Sequence, residues 1–172
     1  MQKSLELGAV VTAMPGLTGS RAAAFVEAAS VCLWEEGHRC DSLLEVDGDI
    51  EARYRLLWKQ PDEQVRRTYA DPQEATEEGA TAVAIAVLID VTDYVVVSRS
   101  IKGTGFDYWL GHEAGNFAAR MEVSGVRRGA ESVVDGRLRE KLRQMMPSDH
   151  RGLPGYAIVV EFGAPRARVA TK

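Results

Sequence analysis

The sequence has few cysteines and no long apolar run. Cys32 and Cys40 are the two cysteines, and this pair matches neither a zinc-ligand spacing nor the density of a secreted disulfide scaffold. The longest apolar stretch, residues 80–89, has about half the length of a membrane-spanning helix. Glu6 interrupts the segment that would be the apolar region of a signal peptide. We therefore expect a protein of the reducing cytoplasm with no membrane partner.

The chain also lacks the basic composition of proteins that bind nucleic acid non-specifically. Its formal net charge is -4 at pH 7 over 172 residues. A site that binds divalent cations is itself acidic, so this charge does not exclude chemistry on nucleic acid. With 45% hydrophobic residues, the chain is long enough for one full core, and we expect a single domain spanning residues 1–172.

Helical and strand-like patterns alternate along the chain. Residues 1–71 predict a helix capped by Thr18 or Ser20, followed by a hairpin at an Asp-Gly-Asp turn. Residues 72–163 predict a helix, three strands, a second helix and a final strand. Residues 164–172 form a basic tail that we expect to be frayed or bound at an edge. Together these elements predict an α/β (α+β) fold with a central mixed, mainly antiparallel sheet flanked by helices.

One short strand, GFDYWLG, carries a charged residue, Asp107, among aromatic side chains. If it pairs with FAARMEVSGV as a hairpin, one register places Asp107 opposite Met121 and the next places it opposite Glu122. In the second register two carboxylates are cross-strand neighbours and repel each other. A divalent cation, a shared proton or a basic neighbour such as Arg120 would offset that repulsion. Glu77, near the start of the preceding helix, is a candidate third carboxylate.

The element order from residue 72 onward, with acids on neighbouring strands, resembles the core of the PD-(D/E)XK nuclease-like superfamily. That core is a helix, three strands, a helix and a strand, with one acid on the second strand and another on the third. The resemblance covers residues 72–163. It implies that Asp107, Glu122 and the helix acid Glu77 bind Mg²⁺ or Mn²⁺, and that the substrate is nucleic acid, with the ion activating water and stabilising developing charge.

The sequence departs from the family pattern at two positions. Ser124 stands where the motif has lysine, and Phe106 rather than proline precedes Asp107. Lys102 or Arg120 must then replace the missing lysine, or catalysis is absent. The catalytic residues that the resemblance implies are Asp107, Glu122, Glu77, Lys102 and Arg120.

The same residues have other interpretations. Asp107 and Glu122 would form an ordinary polar sheet face if Arg120 and Lys102 were their salt-bridge partners. Acids in the first turn of a helix favour its dipole without any function, which applies to Glu77. The run KGTGFDYWLG with ARMEVSG is similar to one found in an uncharacterised family of bacterial proteins. A non-catalytic interaction module with a protein partner and a small-molecule binding domain are therefore the alternative functions.

Overall fold

The computed structural model describes residues 3–172, within which eight strands form one mixed sheet in the order β1-β3-β2-β8-β7-β6-β5-β4. Four neighbouring strand pairs are antiparallel and three are parallel. The expected α/β fold with a mixed, mainly antiparallel sheet is confirmed. Residues 1 and 2 of the expected domain lie outside the described part. The strands are β1 Lys3–Glu6, β2 Asp41–Gly48, β3 Ala52–Leu57, β4 Val95–Arg99, β5 Tyr108–Gly111, β6 Ala119–Val126, β7 Gly155–Glu161 and β8 Arg166–Thr171.

Helices cover both faces of the sheet. α2 and α4 pack together on one face, and α5 packs against β6 and β7 on the other. Gly79 brings α2 and α4 close, since a Cβ there would lie 2.8 Å from the Ala29 Cα. The helices are α1 Leu7–Val10, α2 Gly19–Glu35, α3 Glu63–Thr68, α4 Pro72–Val91, α5 Glu131–Met145 and a 3-10 helix over Met146–Arg151.

Polar side chains cap the N-termini of α2 and α4. The Thr18 hydroxyl accepts from the backbone N–H of Arg21, so Thr18 is the N-cap of α2. The Asp71 carboxylate accepts from two backbone N–H groups in the first turn of α4. Every residue from Gly79 to Leu88 is buried, because α4 is enclosed by α2 and the sheet. Within residues 3–172, even this helix is not long and apolar enough to cross a membrane.

The segment from α4 to β7 has the element order that the sequence predicts. β4, β5 and β6 form an antiparallel meander, and α5 crosses back so that β7 lies parallel to β6. The helix, three strands, helix, strand order is thus confirmed. In this arrangement successive residues of β6 face α4 and α5 alternately.

The C-terminal segment corrects one expectation. β8 is neither frayed nor at an edge, since it lies between β2 and β7 in the interior of the sheet. Ala167 and Val169 are fully buried, and Arg168 between them pairs with Asp47 and Asp135. Buried and polar residues alternate there as in a strand. The arginines among them make the segment look like an exposed basic tail when only its composition is considered. β8 joins the N-terminal hairpin to the remaining strands.

Candidate functional site

The two acids identified in the sequence lie close together, Asp107 immediately before β5 and Glu122 in the middle of β6. Tyr108 pairs with Met121, and the backbone N–H of Asp107 donates to the Met121 carbonyl at 2.9 Å. Asp107 comes directly before the first paired residue of β5, next to the part of β6 that contains Glu122. The paired residues of β5 and β6 follow the second of the two expected registers, and the negative charge of Asp107 acts on Glu122, so the two carboxylates lie close together.

Contacts from the two flanking strands orient the Asp107 carboxylate. Its Oδ2 accepts a hydrogen bond from the backbone N–H of Val123 at 2.9 Å. Its Oδ1 lies 3.1 Å from Arg99 Nη1 on β4, and the same nitrogen donates to the Asp107 carbonyl at 3.0 Å. The Arg99 side chain is 60% exposed, so this ion pair adds little stability. Its effect is to fix the direction in which the carboxylate points.

Glu122 is a buried carboxylate with one partner from α5. Its side chain is 2% exposed, and its Oε1 accepts from Lys141 Nζ at 2.7 Å. Lys141 also donates to the side-chain oxygen of Gln144 at 3.1 Å. The Glu122 Oε2 is buried and has no hydrogen-bond partner within residues 3–172. A buried carboxylate oxygen without a donor is costly, so either a proton shared with Asp107 or a bound cation would stabilise this atom.

The electrostatics of the pair shift the titration of Glu122. Burial, and next to it the negative charge of Asp107, raise the pKa of Glu122 to about 7, although Lys141 acts in the opposite direction. Near neutral pH the carboxylate therefore exchanges readily between its protonated and charged forms. A proton and an added cation compete for the same group.

The acid pair opens into a cleft of about 1040 Å³. The first turns of α2 and α4 line one side of it, α5 lines the other, and β5 and β6 form its floor. Among the described residues, six carboxylates and four cationic side chains line it, which makes the cleft net negative by two charges. A single divalent cation would neutralise it. The charged side chains are Asp71, Glu74, Glu77, Glu78, Asp107 and Glu122, with Arg21, Arg99, Arg137 and Lys141.

Glu77 lies in the same cleft, on the wall formed by α4. Its side chain is exposed and its Oε1 accepts from Gln73 Nε2 at 3.1 Å. The neighbouring Glu78 is engaged by Arg21 at 2.9 Å, so Glu77 is the freer of the two. Across the described part of the chain, no three His, Cys, Asp or Glu side chains are clustered closely enough to bind a metal ion. Glu77 thus lines the same cleft as the acid pair, but it does not form a three-ligand metal site with it among the described residues.

The structure does not place Lys102 or Arg120 in this cleft. Lys102 is exposed on the turn between β4 and β5. Arg120 faces the same side of the sheet as Glu122, but its guanidinium is buried under the 3-10 helix and donates to Ser148 at 2.5 Å and to the Leu153 carbonyl at 2.9 Å. Arg120 is therefore a buried anchor for the 3-10 helix. The expected salt-bridge partners of the acids are replaced by Arg99 and Lys141.

The cation at Glu122 is the residue that sequence reasoning missed. Lys141 falls on the inward stripe of α5, between the buried or half-buried residues Val134, Leu138 and Met145. A lysine at an apolar position of an amphipathic helix signals a buried partner of opposite charge. That signal was present in DGRLREKLRQMM. The sequence does not show which strand residue the stripe meets.

Comparison of the chain with protein-family models, with curated proteins and with solved structures returned no match. The acid pair, Lys141 and the cleft are therefore the features of this chain that bear on its function.

Proposed function

We propose that this protein is a divergent, metal-dependent phosphodiesterase that acts on nucleic acid. The observation that carries the proposal is the Asp107 and Glu122 carboxylate pair, set in a net-negative cleft with Lys141 directly on it. The order of elements around the pair supports the resemblance to the PD-(D/E)XK nuclease-like core. Asp107 directly precedes the second strand of that core and Glu122 lies on the third, close to the positions at which the family has its acids.

The residues present fit a hard divalent cation. Mg²⁺ and Mn²⁺ prefer carboxylate oxygens, and Glu122 Oε2 is a buried carboxylate oxygen with no donor among residues 3–172. Asp107 and Glu122 would hold the ion, with water completing its coordination, while Glu77 adds negative charge to the same cleft. When bound, the ion lowers the pKa of a coordinated water and stabilises charge on the phosphate oxygens.

Lys141 fits the role of the lysine that is missing from β6. Ser124 occupies the motif position on the strand, whereas Lys141 reaches Glu122 from α5 with Nζ at 2.7 Å from Oε1. An ammonium group has three donors, and two of them are used by Glu122 and Gln144. The third is available to a phosphate oxygen or to an attacking water. Lys141 would thus stabilise negative charge at the reacting group.

The test is cleavage of a labelled DNA or RNA strand in Mg²⁺ or Mn²⁺ by the purified protein. We expect cleavage by the wild type, loss of it in Asp107→Asn, and retention of it in Asp93→Asn. Asp93 is exposed and lies outside the cleft, so it is a matched control. Lys141→Gln should lower kcat by about 100-fold, which is typical of a lost electrostatic group at a reacting centre. Equal cleavage by Asp107→Asn and the wild type refutes the assignment.

A second candidate is a non-catalytic interaction module on the same scaffold. It is favoured by one observation, namely that each acid already has a cationic partner, Arg99 for Asp107 and Lys141 for Glu122. Isothermal titration with Mn²⁺ separates the two candidates. The enzyme requires heat of binding that is lost in Asp107→Asn, whereas the module requires no binding of the ion and a protein partner recovered by pull-down.

A further inference from the structure

A second, smaller cavity continues from the acid cleft. It has a volume of about 460 Å³, and Ser124, Gly125 and Arg137 line both cavities. Arg127 lines the smaller one. The two cavities are therefore parts of one groove between α5 and the first turns of α4. Its charge changes along its length, because two arginines and one glutamate line the smaller part.

Next to Glu122 and Lys141, the groove brings together a second residue of β6 and a second basic residue of α5, namely Ser124 and Arg137. Ser124 follows Glu122 on the same face of β6, about 7 Å along the strand. Arg137 precedes Lys141 by one helical turn on the same face of α5, about 6 Å along the helix. Since α5 crosses back between two parallel strands, β6 and α5 run in opposite directions. Lys141 therefore lies beside Glu122, and Arg137 lies beside Ser124.

Arg137 has donors to spare, and Arg127 adds a second positive charge at the smaller cavity. Arg137 has an ion-pair contact with Glu140 at 3.8 Å, near the outer limit for such a pair. Arg127 pairs with Glu35 and Glu36 through Nη2 and Nε, which fixes its positive charge at the smaller cavity. A planar guanidinium with free N–H groups matches the oxygens of a phosphate.

The adjacent helix N-terminus supplies no competing anion site. The Asp71 carboxylate accepts from the first free N–H groups of α4 and brings its own negative charge. An anion in the smaller cavity must therefore rely on the two guanidinium groups. Gly125 keeps α4 close to this part of β6, because a Cβ there would lie 2.5 Å from the Thr76 carbonyl oxygen.

We propose that Arg137, assisted by Arg127, binds a second phosphate of a nucleic acid strand whose neighbouring phosphodiester lies at Asp107 and Glu122. The step of about 7 Å between the two positions is close to the spacing of successive phosphates along one strand. This subsite rests on the proposed function, because the acid pair defines where the reacting phosphodiester lies. The bound nucleic acid strand would then lie along β6, with one phosphodiester at Glu122 and the neighbouring phosphate beside Ser124.

The experiment measures binding of a short fluorescent DNA strand by anisotropy across a range of NaCl concentrations. Asp107→Asn is the background, so that the strand stays intact. We expect added Arg137→Gln to weaken binding by about tenfold and to reduce the slope of log K against log salt by about 0.7. Arg137→Lys should recover part of the affinity, because lysine keeps the positive charge but lacks the planar paired donors of a guanidinium. Arg139→Gln is the matched control, because Arg139 is exposed on α5 and lies outside both cavities.

The outcomes separate this subsite from the proposed function. Equal affinity and equal salt slope for Arg137→Gln and Arg139→Gln overturn the subsite, even if the wild type cleaves nucleic acid. The absence of strand binding to the background protein overturns it as well. A selective loss of binding in Arg137→Gln supports the subsite, and if the wild type then fails to cleave, it is the proposed catalysis that has failed.

Discussion

Glu122 and Lys141 form a buried ion pair that joins β6 to α5, with Nζ 2.7 Å from Oε1. The Glu122 side chain is 2% exposed and that of Lys141 is 17% exposed, so neither charge is well solvated. Breaking a pair of this kind leaves an uncompensated charge in the interior. Several measurable properties of the protein depend on it.

Removing the lysine should destabilise the protein when Glu122 is charged. We expect Lys141→Met to lower the free energy of unfolding by about 3 kcal/mol above neutral pH, because the buried carboxylate loses its cation. The double variant Glu122→Gln with Lys141→Met should recover most of this loss, since no unpaired charge remains. Urea unfolding of the wild type, the two single variants and the double variant gives the coupling energy. Additive effects of the two substitutions contradict the pairing.

The free energy of unfolding should decrease as the pH rises, because of the titration of Glu122. A carboxyl whose folded pKa of about 7 exceeds its unfolded value of 4.5 contributes stability below pH 4.5, and this is lost as the pH rises through 7. Relative to Glu122→Gln, the wild type should lose about 1 to 3 kcal/mol of unfolding free energy between about pH 5 and about pH 8. Denaturant unfolding at several pH values measures this difference. Parallel pH profiles for the two proteins rule out the raised pKa.

The same titration should control metal affinity. Since Glu122 must lose its proton to bind a cation, the affinity for Mn²⁺ should rise by up to about tenfold per pH unit below pH 7 and level off above it. Calorimetric titrations at a series of pH values test this dependence. In Glu122→Gln the affinity should be low and its change with pH should disappear, whereas a pH-independent affinity in the wild type would exclude Glu122 as a ligand.

The close approach of α4 to β6 should be sensitive to one methyl group. In Gly125→Ala the new Cβ would meet the Thr76 carbonyl oxygen at 2.5 Å, which forces the helix and strand apart. We expect a loss of about 1 to 3 kcal/mol of unfolding free energy, as in other overpacked sites. Ser124→Ala, one residue earlier and half-exposed, is the control and should change stability little. Equal stability of Gly125→Ala and the wild type contradicts the close packing.

The sequence predicts the acid pair because the pair depends on two strands that are neighbours along the chain. Alternation along two strands and the short connection between them determine the register of β5 and β6, which brings Asp107 close to Glu122. The order of helices and strands follows in the same way from local periodicity. In both cases neighbouring residues along the chain carry the information.

The cation at the site is not predictable in this way, because it depends on a contact between distant elements. Lys102 and Arg120 are close in sequence to the acids, yet Lys102 is on an exposed turn and Arg120 is bonded to Ser148. Lys141 is distant in sequence and reaches Glu122 only through the packing of α5. Helical periodicity shows which face of α5 is buried, but it does not show which strand residue each side chain meets.

Anomalous diffraction from crystals grown in MnCl₂ tests the central claim most directly, because it locates the ion without reference to activity. We expect an anomalous peak between the Asp107 carboxylate and Glu122 Oε2, and no such peak in crystals of Asp107→Asn. A wild-type crystal without manganese at these acids, with Lys141 still bound to Glu122, would contradict a metal-dependent site.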